Sequence, residues 1–198
     1  RRQRQMCIRD RHYADLFLGK TPVLAKDTPA FIANRIGVFS MSAIFQLMKD
    51  FDLGIGEIDA VTGPLTGKPK SATFRTADVV GLDTLIKVAK GVYDNCPEDE
   101  RRNTFQIPDF VLTMEKNQWL GDKTGQGFYK KSKNEQGKRV FLELDPKTLK
   151  YKETPKRTFD SIAQAKAAGG LQNKLRVLSK GKDEAARFNN TVNAMVFQ

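Results

Sequence analysis

Lys26-Asp27-Thr28-Pro29-Ala30-Phe31-Ile32-Ala33-Asn34-Arg35 opens a segment that stays largely apolar through Ile36, Val38, Phe39, Met41, Ile44, Phe45, Leu47 and Met48. Thr28 is placed to accept a hydrogen bond from the free amides of a first helical turn, and Pro29 at the first helical position has no amide to leave unsatisfied. A residue that precedes proline is driven to extended φ/ψ, which is also the conformation an N-cap needs. The segment therefore predicts a helix that starts at Pro29 and runs to the neighbourhood of Phe51, apolar on nearly every face for about six turns. Such a helix is buried on several sides rather than lying on a surface. Asn34 is its one early polar residue, and an unpaired amide buried there would cost about 1–3 kcal/mol. The reading requires a partner for it.

Working outward, the chain of 198 residues is long enough for one domain, or for one domain and part of another. Its two cysteines, Cys7 and Cys96, offer neither a disulfide framework nor paired zinc-ligand spacing, which suits a reducing compartment. No apolar run approaches the ~20 residues of a membrane span, and no apolar core follows the basic N-terminus as it would in a leader peptide. A soluble, cytoplasmic protein is the expectation.

The net charge of +11 raises the question of nucleic acid. Five arginines (Arg1, Arg2, Arg4, Arg9 and Arg11) and one acid, Asp10, lie in the first eleven residues, so that segment supplies four net charges and the rest of the chain carries +7. The segment has no periodicity and reads as a tail foreign to the fold, the alternative being a basic arm that binds phosphates. His12, the only histidine, has no partner motif around it and reads as an exposed residue beside the tail.

From His12 onward, Tyr13, Leu16 and Phe17 mark the end of a helix closed by Gly19, and Thr21-Pro22-Val23-Leu24-Ala25 is an extended approach to the capped helix. Ile55–Val61 is a short helix stopped by Thr62-Gly63-Pro64. The loop from Gly63 to Ser71 superficially suggests a phosphate-binding loop, but its spacing is one residue short and Pro69 stands where a hydroxyl residue should follow the lysine, so a nucleotide site of that type is excluded. Ser71 caps a helix to Val80. Gly81 separates it from a second helix, Leu82–Asn95, whose Leu82, Leu85, Ile86, Val88, Ala89, Val92 and Tyr93 form a core or helix-contact stripe. After a charged loop, Pro108 enters a further helix. The glycine-studded turn Gly121–Tyr129 neither follows a strand nor opens a helix, so its GxG is no cofactor fingerprint.

Phe128–Lys130 and Arg139–Leu144 are strand-like and joined by Asn134-Glu135-Gln136-Gly137, which predicts an exposed hairpin. The lysine-rich stretch Asp145–Lys156, with Thr154-Pro155, reads as a linker. Helices follow over Phe159–Ala168, Leu171–Leu178 and Asp183–Val196. The expected organisation is a mainly α protein: a tail over 1–11, a helical domain over 12–130, a small β-hairpin and linker over 131–157, and the truncated start of a second helical domain over 158–198.

At Lys26–Arg35 the sequence resembles the C-terminal domain of the NAD-dependent 3-hydroxyacyl-CoA dehydrogenases, whose signature is Lys-Asp-x-Pro-Gly-Phe-x-x-Asn-Arg. Lys26, Asp27, Pro29, Phe31, Asn34 and Arg35 match it, and Ala30 stands where the family usually has glycine. Three further motifs follow in family order: Asp59-Ala60-Val61-Thr62-Gly63-Pro64, Asp78-Val79-Val80-Gly81-Leu82-Asp83-Thr84, and Gly121-Asp122-Lys123-Thr124-Gly125-Gln126-Gly127-Phe128-Tyr129. The stretch with Leu144-Asp145-Pro146-Lys147-Thr148-Leu149 is similar to the connector of bacterial enzymes that fuse the dehydrogenase to an enoyl-CoA hydratase.

The resemblance implies a helical 3-hydroxyacyl-CoA dehydrogenase C-terminal-like fold, of the 6-phosphogluconate dehydrogenase C-terminal-like type. It implies oxidation of a 3-hydroxyacyl-CoA to a 3-oxoacyl-CoA with NAD in fatty-acid β-oxidation. In the family the dinucleotide and a catalytic histidine, oriented by a glutamate, belong to an amino-terminal Rossmann domain. This chain offers no Gly-x-Gly-x-x-Gly after a strand, and His12 lies outside any matching histidine motif, so it is expected to be inactive alone, with no catalytic, cofactor-binding or metal-binding residue. Asn34 is the residue that carries over, as a substrate contact in the cleft between domains; the alternative is an amide that bonds only a neighbouring backbone or Arg35. Lys68, Lys70 and Arg75 read as a solvated loop, with attraction of the CoA phosphates as the alternative. A hydratase domain downstream and a homodimer are the partners the resemblance implies. The rival from another class is a small basic helical module that binds nucleic acid; it requires one helix face rich in Lys and Arg, whereas the bases here are scattered over loops and linker.

Overall fold

The helix that the sequence starts at Pro29 begins four residues later. In the computed structural model, which describes residues 2–133, 136–154 and 157–197, α1 spans Arg2–Leu16 and α2 spans Ala33–Leu47. Ahead of α2 the amide of Phe31 donates to the Thr28 carbonyl at 3.0 Å, and Ala30 and Phe31 both take left-handed φ, 62° and 48°. Proline's fixed φ suits the second position of a turn as well as the first position of a helix, and here it serves the turn. Ile32 occupies the cap position with no side-chain hydrogen bond, so Thr28 is not the cap.

A second correction concerns burial. The first turn of α2 is exposed, Asn34 included, and only from Val38 does the helix enter the core, with Ser42, Ala43, Ile44, Phe45 and Leu47 buried. The helix has 15 residues, extended by a single 3₁₀ turn at Met48–Asp50, and so is shorter than the apolar run implied. Asn34 therefore has no burial cost for a partner to offset.

The remaining elements are α3 (Ile55–Thr62), α4 (Phe74–Val80), α5 (Leu82–Asn95), α6 (Asp109–Lys116), α7 (Asp160–Ala167), α8 (Leu171–Lys180) and α9 (Glu184–Val196). The stripe on α5 buries Leu82, Leu85, Ile86, Ala89 and Val92, as its periodicity predicts. α4 starts three residues after Ser71, which does not cap it; Ser71 instead accepts a hydrogen bond from the Thr76 hydroxyl. Among the described residues the strands β1 (Tyr129–Lys133), β2 (Arg139–Leu144) and β3 (Tyr151–Glu153) form one antiparallel sheet in that order. The third strand lies inside the stretch read as a linker, where Leu144 pairs with Tyr151 and Glu143 with Lys152. Asn134 and Glu135 of the expected hairpin turn, Pro155 and Lys156 of the linker, and Arg1 and Gln198 lie outside the described residues.

The core is centred on three phenylalanines brought from far apart in the chain. Phe45 of α2 stacks on Phe74 of α4 with ring centres 5.4 Å apart, and Phe128 meets both, at 5.4 and 4.8 Å. Aromatic contacts of this kind add about 0.5–1.5 kcal/mol each beyond the area they bury. α9 packs on α2 and α3, and its Phe188 meets Phe51 edge to face at 5.2 Å. The start of α9 is capped by Asp183, which accepts from the Ala186 amide at 2.9 Å and from the amide and hydroxyl of Ser161 on α7. Among the described residues no helix is long and apolar enough to cross a membrane.

Candidate substrate-facing surface and the motif knot behind it

The three later motifs converge at one place. Asp59 on α3 stands at the start of α4, where its carboxylate accepts the amides of Thr73, Phe74 and Arg75 at 3.0, 2.8 and 3.2 Å and the Tyr129 hydroxyl at 2.9 Å. The side chain thus satisfies three of the amides that a helix start leaves free, a capping role assumed from another helix. Burial raises the pKa of Asp59, these hydrogen bonds oppose it, and the net shift is upward. Behind Asp59, Thr62 donates to the Ile58 carbonyl or shares a hydrogen bond with Thr73, at 2.8 and 2.9 Å.

Asp78, near the end of α4, does for β1 what Asp59 does for α4. Its two carboxylate oxygens take the amides of Phe128 and Tyr129 at 2.8 and 2.9 Å, and the residue is 1% exposed. Desolvation pushes its pKa up to about 6 against the pull of those amides and of Arg75. Two of the turn's three glycines permit this contact. A Cβ on Gly127 would stand 2.1 Å from Asp78 Oδ1, and one on Gly121, whose φ is 101°, would stand 2.2 Å from the Asp78 carbonyl oxygen. The GxG that fails as a cofactor fingerprint is a place where two backbones touch. Two ion pairs clasp the outside: Arg75 grips Asp122 through two bonds of 2.8 Å, and Lys123 pairs with Asp83. Asp59, Asp78, Gly121 and Gly127 are accounted for by capping and close packing, while Val79 and Val80 of the same motifs stay exposed; sequence reasoning quoted Asp59 and Asp78 within their motifs but missed their roles, because capping across elements leaves no local spacing signal.

The fourth motif is organised differently. Arg35 pairs with Asp99, which raises the guanidinium pKa; at Asp99 burial acts upward, and the hydrogen bonds from Arg35 and the Arg101 amide more than offset it, so the carboxyl lies below its ordinary range. Asn34 is exposed and makes no side-chain hydrogen bond among the described residues. Gly37 lies one turn on along the same face, and a Cβ there would meet nothing within 4 Å. Phe31, Ile32 and Ile36 around it are 57%, 46% and 59% exposed. Ala30, with φ at 62°, sits in a conformation that costs an L-residue roughly 1–2 kcal/mol and glycine nothing, which is the physical ground for a glycine at that signature position.

Of the other singled-out residues, His12 and Cys7 are exposed, and Lys68 and Lys70 are exposed without an ion pair among the described residues, while Arg75 is committed to Asp122. Among the described residues no group of three His, Cys, Asp or Glu side chains is placed to hold a metal ion.

A family profile described as "3-hydroxyacyl-CoA dehydrogenase, C-terminal domain" matches residues 31–131. A probable 3-hydroxyacyl-CoA dehydrogenase of Bacillus subtilis is 47% identical over 176 residues, which is 89% of this chain and 22% of the relative. One of Deinococcus radiodurans is 43% identical over 129 residues, 65% of this chain and 36% of the relative. Among solved structures, Mycobacterium tuberculosis FadB2 superposes with a TM-score of 0.52 at 26% identity, over 63% of this chain and 42% of that one. The chain thus spans about a fifth to two fifths of the length of the proteins it matches.

Proposed function

The chain belongs to the 3-hydroxyacyl-CoA dehydrogenase family through its C-terminal domain, and from that premise we propose that it forms the substrate-side wall of an enzyme oxidising 3-hydroxyacyl-CoA to 3-oxoacyl-CoA in fatty-acid β-oxidation. The observation that carries this reading is Asn34: an exposed amide with no partner of its own, on an open helix face, among exposed apolar side chains. An amide of that kind donates to a carbonyl or accepts from a hydroxyl without titrating, so it serves substrate and product alike. Phe31, Ile32 and Ile36 add exposed apolar surface to the same segment, Ile36 being two positions on and so on another face of α2 from Asn34.

The residues described do not fit a dinucleotide. Gly125 and Gly127 belong to the turn that packs on Asp78 and open no helix, so NAD is assigned to a Rossmann domain elsewhere in the protein, together with the histidine that accepts the hydroxyl proton. What this chain's own residues do is bind and orient. The division into a helical domain over 12–130, a hairpin and linker over 131–157 and the start of a second helical domain over 158–198 belongs to the same proposal. So do an enoyl-CoA hydratase on the same polypeptide, a homodimer and a cytoplasmic location. The match to a dehydrogenase family leaves the nucleic-acid module without support.

The test is Asn34→Ala in a full-length dehydrogenase that carries this segment. Loss of one hydrogen bond made to the reacting oxygen lowers kcat/KM about tenfold. A change below twofold, with the fold intact, removes Asn34 from the site.

A further inference from the structure

The first turn of α2 lacks the ordinary devices that hold a helix start. Ile32 at the cap position offers no side-chain hydrogen bond, no acid stands in the first turn, and Ala33, Asn34, Ile36 and Gly37 are exposed. Arg35 is the one charged residue of the helix, and a cation near a helix N-terminus opposes the macrodipole. Left so, the turn that carries Asn34 would fray, because its free amides have no side chain to take them. The missing acid comes from elsewhere. Asp99, 64 positions on and in none of the four motifs, takes the Arg35 guanidinium, and its side chain is 7% exposed against 32% for Arg35.

Asp99 is itself a fixed point. Its carboxylate accepts the Arg101 amide at 2.8 Å, its own amide donates to the Cys96 carbonyl at 3.1 Å, and its carbonyl accepts the Arg102 amide at 3.0 Å. Arg102 then ties the loop to α5: its Nε donates to the Tyr93 carbonyl at 2.7 Å, and its guanidinium lies 4.1 Å from the centre of the Tyr93 ring. Farther along α2, Gln46 directs its amide nitrogen at the carbonyls of Asn103, Thr104 and Gln106, at 3.1 to 3.2 Å, and Phe39 meets Phe105 edge to face at 5.6 Å. Among the described residues, Arg35 and Gln46 are the side chains of α2 that hydrogen-bond to another segment, and both do so onto 99–106. The loop is thus a bracket that spans α5 and both ends of α2.

Neighbouring residues on a helix point about 100° apart, so fixing the direction of Arg35 also fixes that of Asn34. We propose that Asp99 is a positioning residue of the dehydrogenase: through Arg35 it holds the first turn of α2 in place and so aims the Asn34 amide at the substrate oxygen. This role presupposes that Asn34 touches substrate, and it adds a residue that does not. A displacement of about 1 Å at a reacting centre can cost a hundredfold in rate. A partly exposed ion pair contributes little to stability. The pair is therefore worth more to turnover than to the fold.

The experiment is a double-mutant cycle in a full-length dehydrogenase that carries this segment: Asp99→Asn, Asn34→Ala and both together, with kcat, KM and a thermal melt for each. Asp99→Asn keeps the shape of the side chain and removes its charge. It is expected to lower kcat/KM about three- to tenfold, mostly through kcat, with the melt nearly unchanged, and to cost less than about twofold once Asn34 is alanine. Arg35→Gln breaks the same pair from the other side and is expected to lose as much, the Arg35→Gln and Asp99→Asn changes together losing no more than either alone. The proposal is overturned if Asp99→Asn or Arg35→Gln stays within about twofold of wild type while Asn34→Ala loses tenfold, or if the losses from Asp99→Asn and Asn34→Ala multiply. An Asn34→Ala change below twofold removes the substrate contact and the positioning role together, a result distinct from one in which Asn34 matters and Asp99 does not.

Discussion

Two signature regions of similar length behave in opposite ways. At the knot formed by Asp59, Asp78 and Gly121–Tyr129, each carboxylate is filled by backbone amides and each critical glycine is pressed against another segment. At Thr28–Ile36 the backbone bends through two left-handed residues and then presents an amide and three apolar side chains to nothing within the described residues. The first region is complete in itself. The second is open, its amide unbonded among the described residues, and the contrast teaches that a motif's density in sequence does not say whether its side chains are spent on the fold.

The contrast breaks most visibly at Gly121. A Cβ there would stand 2.2 Å from backbone that has no room to retreat, at a φ of 101°, so Gly121→Ala should cost about 4 kcal/mol or leave no cooperative urea transition at all. Next comes Asp59→Ala, which strands three amides at the start of α4 and the Tyr129 hydroxyl; a loss of about 3 kcal/mol in the same melts is expected. Recovery of wild-type stability by either variant would show that the knot is not what holds the chain.

The pH dependence follows from the buried acid. Asp78 has its folded-state pKa raised to about 6, so the folded protein binds its proton more tightly than the unfolded chain does. Stability from this group is fully present below the ordinary carboxylate value of ~4 and is lost as pH rises through about 6. The Asp78 contribution should therefore grow on acidification from pH 7 to about 4, by roughly 1–3 kcal/mol in the difference in urea stability between the wild type and Asp78→Asn, while the lowered carboxyls Asp83, Asp99, Asp145 and Asp183 act with the opposite sign; the Asp78 carboxyl carbon should titrate near 6 by NMR. Asp59 and Glu143, also raised by burial, act with the same sign.

The smallest effects belong to the open region. Ala30→Gly relieves a left-handed alanine and should be close to neutral or stabilising by up to ~1 kcal/mol, since glycine's larger unfolded-state entropy offsets part of the relief. Asn34→Ala should move stability by less than about 0.5 kcal/mol, because the amide touches nothing it would leave unpaired. A loss of 2 kcal/mol there would place Asn34 with the knot instead.

Much of the fold is legible in the sequence because its signals are local. The apolar repeat of α5 returns the element end for end, and Pro108, Gly81 and the Thr62-Gly63-Pro64 stop mark real boundaries. The start of α2 is misread because Thr-Pro is as good a turn as it is a helix entry, and nothing nearby records that Ala30 and Phe31 will take positive φ. The third strand hides in a lysine-rich stretch because its pairing partner, β2, supplies the apolar side chains for both. Asn34 is misread as buried: composition gives the helix an apolar face all round, and only the packing of Val38 onward tells which part of it is covered.

The knot also sets a timetable. Asp59 and Asp78 find their final partners at Tyr129 and Phe128, 70 and 50 positions later in the chain. At about 5–20 residues per second of synthesis, the last of those partners leaves the ribosome roughly 4–14 s after Asp59 does. Until then both carboxylates belong to a chain that can collapse on Phe45 and Phe74 but lacks Phe128, the third ring of its core. Closing loops of that length is a modest entropic expense but a slow event. A chain broken just before Gly121 would therefore hold six of the nine described helices while lacking the amides that fill Asp78, the hydroxyl that reaches Asp59 and the third ring of the core.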